Sequence, residues 1–101
     1  MLRTSVKLTC PGSRENIVVI VATAAQSQYG IGHPENTGDC NLYIGALDAD
    51  GKPIDPGKDL ELIPGASRHW YYPPSGAVQI VAGCDTRCHG QAVLEYDTPI
   101  G

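Results

Sequence analysis

The sequence predicts an all-β protein, and three features lead to that prediction. Twelve glycines and eight prolines divide the chain into short segments, which is typical of strands joined by tight turns. Several apolar segments alternate with polar residues at a period of two, as half-buried strands do. Helical periodicity and internal repeats are absent from the sequence. We therefore predict a single small antiparallel β-sandwich or jelly-roll-like barrel of about seven to eight strands.

The length and composition fit one domain that spans residues 1–101. A chain of this size buries about two-thirds of its unfolded surface, which is enough for one modest core. Phenylalanine is absent and the only methionine is Met1. Packing must therefore rest on valine, isoleucine, leucine, alanine and the five tyrosines.

The first two predicted strands differ in pattern. Residues 2–10 alternate Leu2, Thr4, Val6 and Leu8 with polar neighbours, which indicates a strand with one buried face. A turn follows at residues 11–13. Residues 16–24 are β-branched and apolar on both faces, so we expect a central strand that is covered on two sides.

The middle of the chain alternates between turns and short strands. Residues 26–39 form the longest polar stretch and predict a loop of a length that is often functional. A strand follows at residues 41–48, and residues 48–58 form a double turn with Asp-Gly and Asp-Pro-Gly. These two loops supply the candidate interface residues, which are Tyr29, His33, Asn36, Asp48, Asp50 and Lys52.

Four further strands are predicted in the last part of the chain, at residues 60–63, 67–72, 77–83 and 91–97. The last two are separated by a short turn-like segment, so we expect them to pair as a hairpin. In the final strand, Ala92, Leu94 and Tyr96 should face the core.

The four cysteines allow several interpretations, which are disulfides, buried free thiols for those left unpaired, and zinc ligands. Across the expected hairpin, Cys84 and Cys88 would face each other within disulfide range, and closing so small a loop contributes only about 2 kcal/mol. A second bridge could join Cys10 and Cys40, although the sequence leaves the pairing open. Zinc held by Cys84, Cys88 and His89 with Cys10 or Cys40 is the weaker alternative, since no second ligand pair has similar spacing.

The segment from His69 to Tyr72 concentrates aromatic residues. In a strand, Trp70 and Tyr72 share one face, while His69 and Tyr71 share the other. With no phenylalanine available, packing or a contact between subunits is the favoured role. Stacking on sugar rings by Trp70, Tyr71 and Tyr72, with Tyr29, is the alternative.

Other function classes find little support in the sequence. A net charge of −4 with seven lysines and arginines argues against nucleic acid as a partner. The longest apolar run, at residues 17–25, is too short to span a bilayer, so we expect no membrane insertion. Sequence motifs of catalytic sites are missing, and the aspartates near Gly51 lack the EF-hand pattern. We expect neither an enzyme nor a cofactor.

The order of segments within residues 41–97 carries a resemblance. The segment reads as a strand with Tyr-Ile-Gly, a turn, Leu-Glu-Leu before Pro-Gly, an aromatic strand, Ala-Val-Gln-Ile-Val-Ala-Gly and a closing Ala-Val-Leu-Glu-Tyr. This layout resembles the small β-sandwich proteins of tailed-phage virions, namely head decoration (cement) and fibre-base modules. Residues 17–25 fit an earlier strand of such a sandwich.

The resemblance implies a non-enzymatic structural protein that decorates or cements a phage capsid. Its partner would be the major capsid protein or another virion protein, and it would act as a homo-oligomer at symmetry-related sites. Residues 1–16 contain charges and no long apolar stretch, so we expect no signal peptide. The expected localisation is the virion, after synthesis in the host cytoplasm.

Overall fold

In the part of the chain that the structure describes, eight antiparallel strands form two four-stranded sheets, which confirms the predicted fold class. The computed structural model describes residues 2–10, 18–21, 23, 27–55, 59–84 and 87–98. The turn predicted at residues 11–13 lies outside the described residues. The strands are β1 (Leu2–Cys10), β2 (Val18–Val21), β3 (Ile31–Asn36), β4 (Leu42–Leu47), β5 (Leu60–Leu62), β6 (Trp70–Tyr71), β7 (Gln79–Cys84) and β8 (Gly90–Thr98).

The strand order is that of a jelly roll. One sheet, here called sheet A, has the order β1-β8-β3-β6, and the other, sheet B, has the order β2-β7-β4-β5. The first strand pairs with the last, the second with the seventh, the third with the sixth and the fourth with the fifth. The chain thus folds like one long hairpin whose strand pairs alternate between the sheets.

The core lies between the inner faces of the two sheets. Ala92, Leu94 and Tyr96 of β8 are buried, which confirms the face that the alternating pattern predicted. In β4, Leu42 and Ile44 are fully enclosed in the same way. Side chains from both sheets complete the cluster, among them Leu8, Val21, Ile31, Leu62, Ile80 and Ala82.

The predicted hairpin between the last two strands is wrong. β7 lies in sheet B between β2 and β4, whereas β8 lies in sheet A between β1 and β3. The connection between them therefore crosses from one sheet to the other. Inserted between two strands, β8 forms ladders along both of its edges, and a simple hairpin with β7 would not provide this.

Two other sequence predictions also fail. Within residues 26–39, expected to be a loop, Ile31–Asn36 forms β3 in the interior of sheet A. A change of register between Gly32 and Glu35 interrupts its pairing with β8, and this irregularity breaks the alternating pattern that marks a strand. The strand within residues 16–24 was expected to be central, but β2 lies at the edge of sheet B and Val19 is 44% exposed.

Candidate functional site

Both disulfides lie at one end of the sandwich, and their pairing differs from the one expected. Cys10 at the end of β1 is bonded to Cys84 at the end of β7, which links the two sheets. Cys40, before β4, is bonded to Cys88, before β8. The expected pairs fail because β7 and β8 are not a hairpin. Their loops close over sequence separations of 74 and 48 residues, for which the chain-entropy model gives about 4 kcal/mol each.

The disulfides contradict the hypothesis of a zinc site. Zinc binds cysteine as a thiolate, and all four sulfur atoms are bonded to each other in pairs. None of the four cysteines can therefore bind zinc as a thiolate beside His89. The cysteines hold the ends of strands together instead.

Asn36 has a structural role rather than an accessible one. Its side chain is fully buried, and its amide nitrogen donates hydrogen bonds to the carbonyl oxygens of Cys40 at 2.8 Å and Leu62 at 2.9 Å. Its oxygen accepts from the backbone N–H of Gly38 at 3.0 Å. Because Leu62 belongs to β5, this side chain ties the two sheets together. As a candidate interface residue, it offers no surface to a partner.

The turn after β4 is organised by Asp48. Its Oδ1 accepts hydrogen bonds from the backbone N–H groups of Asp50 at 2.9 Å and Lys52 at 3.0 Å. An aspartate that bonds the backbone two residues ahead is a standard turn device. The side chains of Asp50 and Lys52 are exposed, so these two residues can still contact a partner.

The aromatic residues divide between the core and the surface. Tyr71 points inward and is 8% exposed. Burial raises the pKa of its hydroxyl to about 12, and the nearby negative charge of Asp59 acts in the same direction. By contrast, Tyr72 is 78% and Tyr29 is 68% exposed, while Trp70 is half-buried. The packing role favoured for the segment therefore holds for Tyr71 but not for Tyr72.

The rings of Trp70 and Tyr72 and the backbone of Tyr29 meet beside β6, and we call these three residues the aromatic cluster. The rings of Trp70 and Tyr72 have centroids 6.4 Å apart and are tilted by 42°. The indole Nε1 of Trp70 donates a hydrogen bond to the carbonyl oxygen of Tyr29 at 2.8 Å. The orientation of the Trp70 ring is therefore fixed by the backbone of the segment that precedes β3.

Strand register places Trp70 in a row with three other residues on the outer face of sheet A. Trp70 pairs with Gly32, Gly32 pairs with Asp97, and Asp97 pairs with Arg3. We call these four residues the outer-face row. Gly32 is required within it, because a Cβ there would lie 2.9 Å from Cζ3 of Trp70. The indole thus rests on the bare backbone of β3.

Charged groups gather at the other end of this row. Nη1 of Arg3 lies 3.3 Å from Oδ1 of Asp97 and donates a hydrogen bond to the carbonyl oxygen of His33 at 3.0 Å. Nη2 of Arg3 lies 3.6 Å from Oε1 of Glu35. The guanidinium therefore lies over β8 and β3, beside Gly32. Exposed His33 sits at the register change with a φ of 45°, a left-handed conformation that non-glycine residues seldom adopt.

The aromatic half of this site, Trp70 and Tyr72, is predicted from the sequence, whereas the charged half is not. Arg3, Gly32 and Asp97 come from three different strands, and nothing in their local sequence indicates that they meet. The alternating pattern of β1 and β8 would place Arg3 and Asp97 on outer faces, but only the register brings them together.

Comparisons with known protein families, with curated protein sequences and with solved structures gave no match to this chain. Among the residues that the structure describes, no helix is long and apolar enough to cross a bilayer.

Proposed function

We propose that this protein is a non-enzymatic structural protein of a virus particle, which decorates or cements a phage capsid through protein–protein contacts. Its partner would be the major capsid protein or another virion protein, and copies of the chain would assemble as a homo-oligomer. The resemblance of residues 41–97 to small β-sandwich virion proteins supports this proposal. The strands β4 to β8 lie in that part of the chain.

The position of β1 is the observation that carries the proposal. This strand has nine residues and lies at the edge of sheet A, where it pairs with β8 alone among the described strands. No described strand pairs with its other edge, and the backbone donors and acceptors there are groups that a strand from a shell protein can pair with. Lys7 is exposed on this strand, which favours a partner segment that carries acidic residues.

The disulfides support a location on the particle. Disulfides persist in oxidising settings, which include virion surfaces, and are rare in proteins that stay in the cytosol. We propose that the chain is made in the host cytoplasm and that each pair of thiols is oxidised to a disulfide by molecular oxygen, which takes up the two electrons and two protons, once the particle has left the cell. A clamped sandwich would then present β1 and the turn with Asp50 and Lys52 in a fixed arrangement.

Reconstitution on particles tests the proposal. Capsids from a virus that lacks the gene for this chain are mixed with the purified protein and sedimented. We expect saturable binding at a fixed ratio to the major capsid protein. The substitution Lys7→Glu should weaken binding, whereas Arg68→Glu, a matched charge reversal on an exposed residue outside β1, should leave it unchanged. Protein that stays in the supernatant at every concentration would refute the proposal.

Light scattering of the purified protein tests the homo-oligomer. We expect a mass of at least twice 10.7 kDa in solution, or copies of the chain grouped at each binding position on the particle. A monomer in both states would contradict this part of the proposal.

A further inference from the structure

The aromatic cluster is not explained by the fold or by the docking of β1. Tyr29 and Tyr72 are two of the four large hydrophobic side chains that stand out as exposed among the described residues. Large aromatic side chains are usually at least partly covered, and a group of them on a surface marks a binding site more often than chance exposure does. The cluster lies on the outer face and at the β6 edge of sheet A, whereas β1 forms the opposite edge.

The orientation of the Trp70 indole is fixed before any ligand binds. Its Nε1 bonds the Tyr29 carbonyl and its ring lies over Gly32, so its orientation does not depend on a bound partner. A surface that keeps its bound geometry when empty loses little conformational entropy on binding. The tilted ring of Tyr72 beside it adds a second apolar surface.

Hydrogen-bonding groups of both kinds adjoin this apolar surface. Across Gly32 from Trp70 lies Asp97, whose carboxylate only accepts hydrogen bonds, and next to it lies Arg3, whose guanidinium only donates them. Their side chains keep 27% and 37% of their surface exposed, so both retain capacity for another partner. From β6 to β8 the row spans two strand spacings, or about 10 Å, which is the scale of a short oligosaccharide.

We propose that the outer-face row and Tyr72 form a binding site for a glycan built of pyranose rings. A pyranose has an apolar face of C–H groups, which stacks on Trp70, and a rim of hydroxyl groups, which donate to Asp97 and accept from Arg3. This inference goes beyond the proposed attachment to a capsid and does not depend on it.

The charges on the row favour a glycan over the other occupants of an aromatic surface. On this face of sheet A, Glu35, Glu95 and Asp97 outnumber Arg3 and Lys7, and the excess negative charge opposes the phosphates of a nucleic acid. Protein interfaces also contain arginine, tryptophan and tyrosine, but they are depleted of aspartate and glutamate, and Asp97 lies within this row with Glu35 beside it. Here the Arg3–Asp97 pair sits within the row itself, one strand away from the glycine that supports Trp70.

The single tryptophan of the chain makes the test direct. The purified protein, with its disulfides intact, is screened on an array of bacterial surface polysaccharides and of soluble gluco-, galacto- and mannopyranose oligosaccharides. The glycan that binds best is then titrated while the fluorescence of tryptophan is followed. Because Trp70 is the only tryptophan, the signal reports on this site alone. We expect saturable binding with a change in that fluorescence.

Variants identify the residues that bind. Tyr72→Ala should weaken binding by about tenfold or more, and the exposure of Tyr72 means that the fold is preserved. Trp70→Ala and Arg3→Gln should weaken it as well, measured by calorimetry. Tyr43→Ala, which removes a half-buried tyrosine from β4 in sheet B, is the aromatic control and should leave binding unchanged.

Three outcomes would overturn the inference. The first is that no glycan on the array binds. The second is that a glycan binds with equal affinity to wild type and to Tyr72→Ala and Trp70→Ala. The third is that these two variants lose attachment to capsids while glycan binding is absent, because the face would then be a protein contact. Glycan binding by a protein that fails to attach to capsids would refute only the proposed function.

Discussion

Removing the bridge between Cys10 and Cys84 should greatly destabilise the fold, and its effect can be estimated from the structure. The bridge closes a sequence separation of 74 residues, for which the chain-entropy model gives about 4 kcal/mol. A bridge between Cys84 and Cys88, as the hairpin would have required, would give only about 2 kcal/mol. The double substitution Cys10→Ala with Cys84→Ala removes this one bridge, whereas in the arrangement expected from the hairpin it would break both bridges and leave Cys40 and Cys88 as thiols.

Urea unfolding of this double variant under oxidising conditions provides the assay. With a slope of about 1–3 kcal/mol per molar urea, a loss of about 4 kcal/mol lowers the midpoint by roughly 1–4 M. The variant Cys40→Ala with Cys88→Ala is the matched control for the second bridge and should lose a similar amount, since its separation is 48 residues. The two loops overlap along the chain, so losing both bridges should cost less than the sum of the separate losses.

Free thiols decide between the pairings. If Cys10 is bonded to Cys84, the first double variant keeps the other bridge whole, and the denatured oxidised protein has no reactive thiol. Reactive thiols in that variant, or a stability loss below about 1 kcal/mol, would refute the reasoning. Trypsin provides an independent check, because it cleaves after Arg87 and so separates Cys84 from Cys88. The peptides of residues 8–14 and 69–87 should then be found linked by a disulfide.

Two other predictions follow from buried polar groups. Asn36→Ala should lower the free energy of unfolding by about 3 kcal/mol, because it leaves two carbonyl groups and one N–H group without their partner, namely those of Cys40, Leu62 and Gly38. A loss below about 1 kcal/mol in thermal or urea unfolding would contradict this prediction. The pKa of Tyr71 is raised to about 12 from an ordinary value of 10.0. The contribution of its protonated hydroxyl to the free energy of unfolding is therefore complete below pH 10 and is lost as the pH rises toward 12. Tyr71→Phe should flatten this part of the stability profile, measured by urea unfolding at a series of pH values, and an unchanged slope would show that another group is responsible.

The sequence predicts those parts of the fold that depend on local alternation. Ala92, Leu94 and Tyr96 follow the period of two, and their strand packs against the core as that pattern requires. The sandwich class and seven of the eight described strands follow from the same pattern and from the spacing of the turns, whereas β3 does not.

Features that depend on tertiary pairing could not be predicted. β3 contains a buried asparagine, whose hydrogen-bond partners are set by β5 and by the segment that leads into β4, and a register change that interrupts its alternation. The hairpin rule fails for β7 and β8 because the connection between them crosses from sheet B to sheet A, where β8 pairs with β1 and β3. The cysteine pairing follows from that same crossing of the chain between sheets.

The candidate site divides in the same way. Its aromatic half is visible in the sequence, because Trp70 and Tyr72 alternate along one segment. Its charged half depends on the register of four strands, which brings Arg3 and Asp97 beside Gly32 only in the folded sheet.

Mass spectrometry of purified virus particles tests the central claim most directly. Under the proposal a virus encodes this chain; particles of that virus are purified by density gradient, and their proteins are quantified against the major capsid protein. We expect the 101-residue chain in a fixed ratio to the capsid protein, with both disulfides closed. Its absence from the particles, together with its presence in extracts of the same infected cells, would contradict the account.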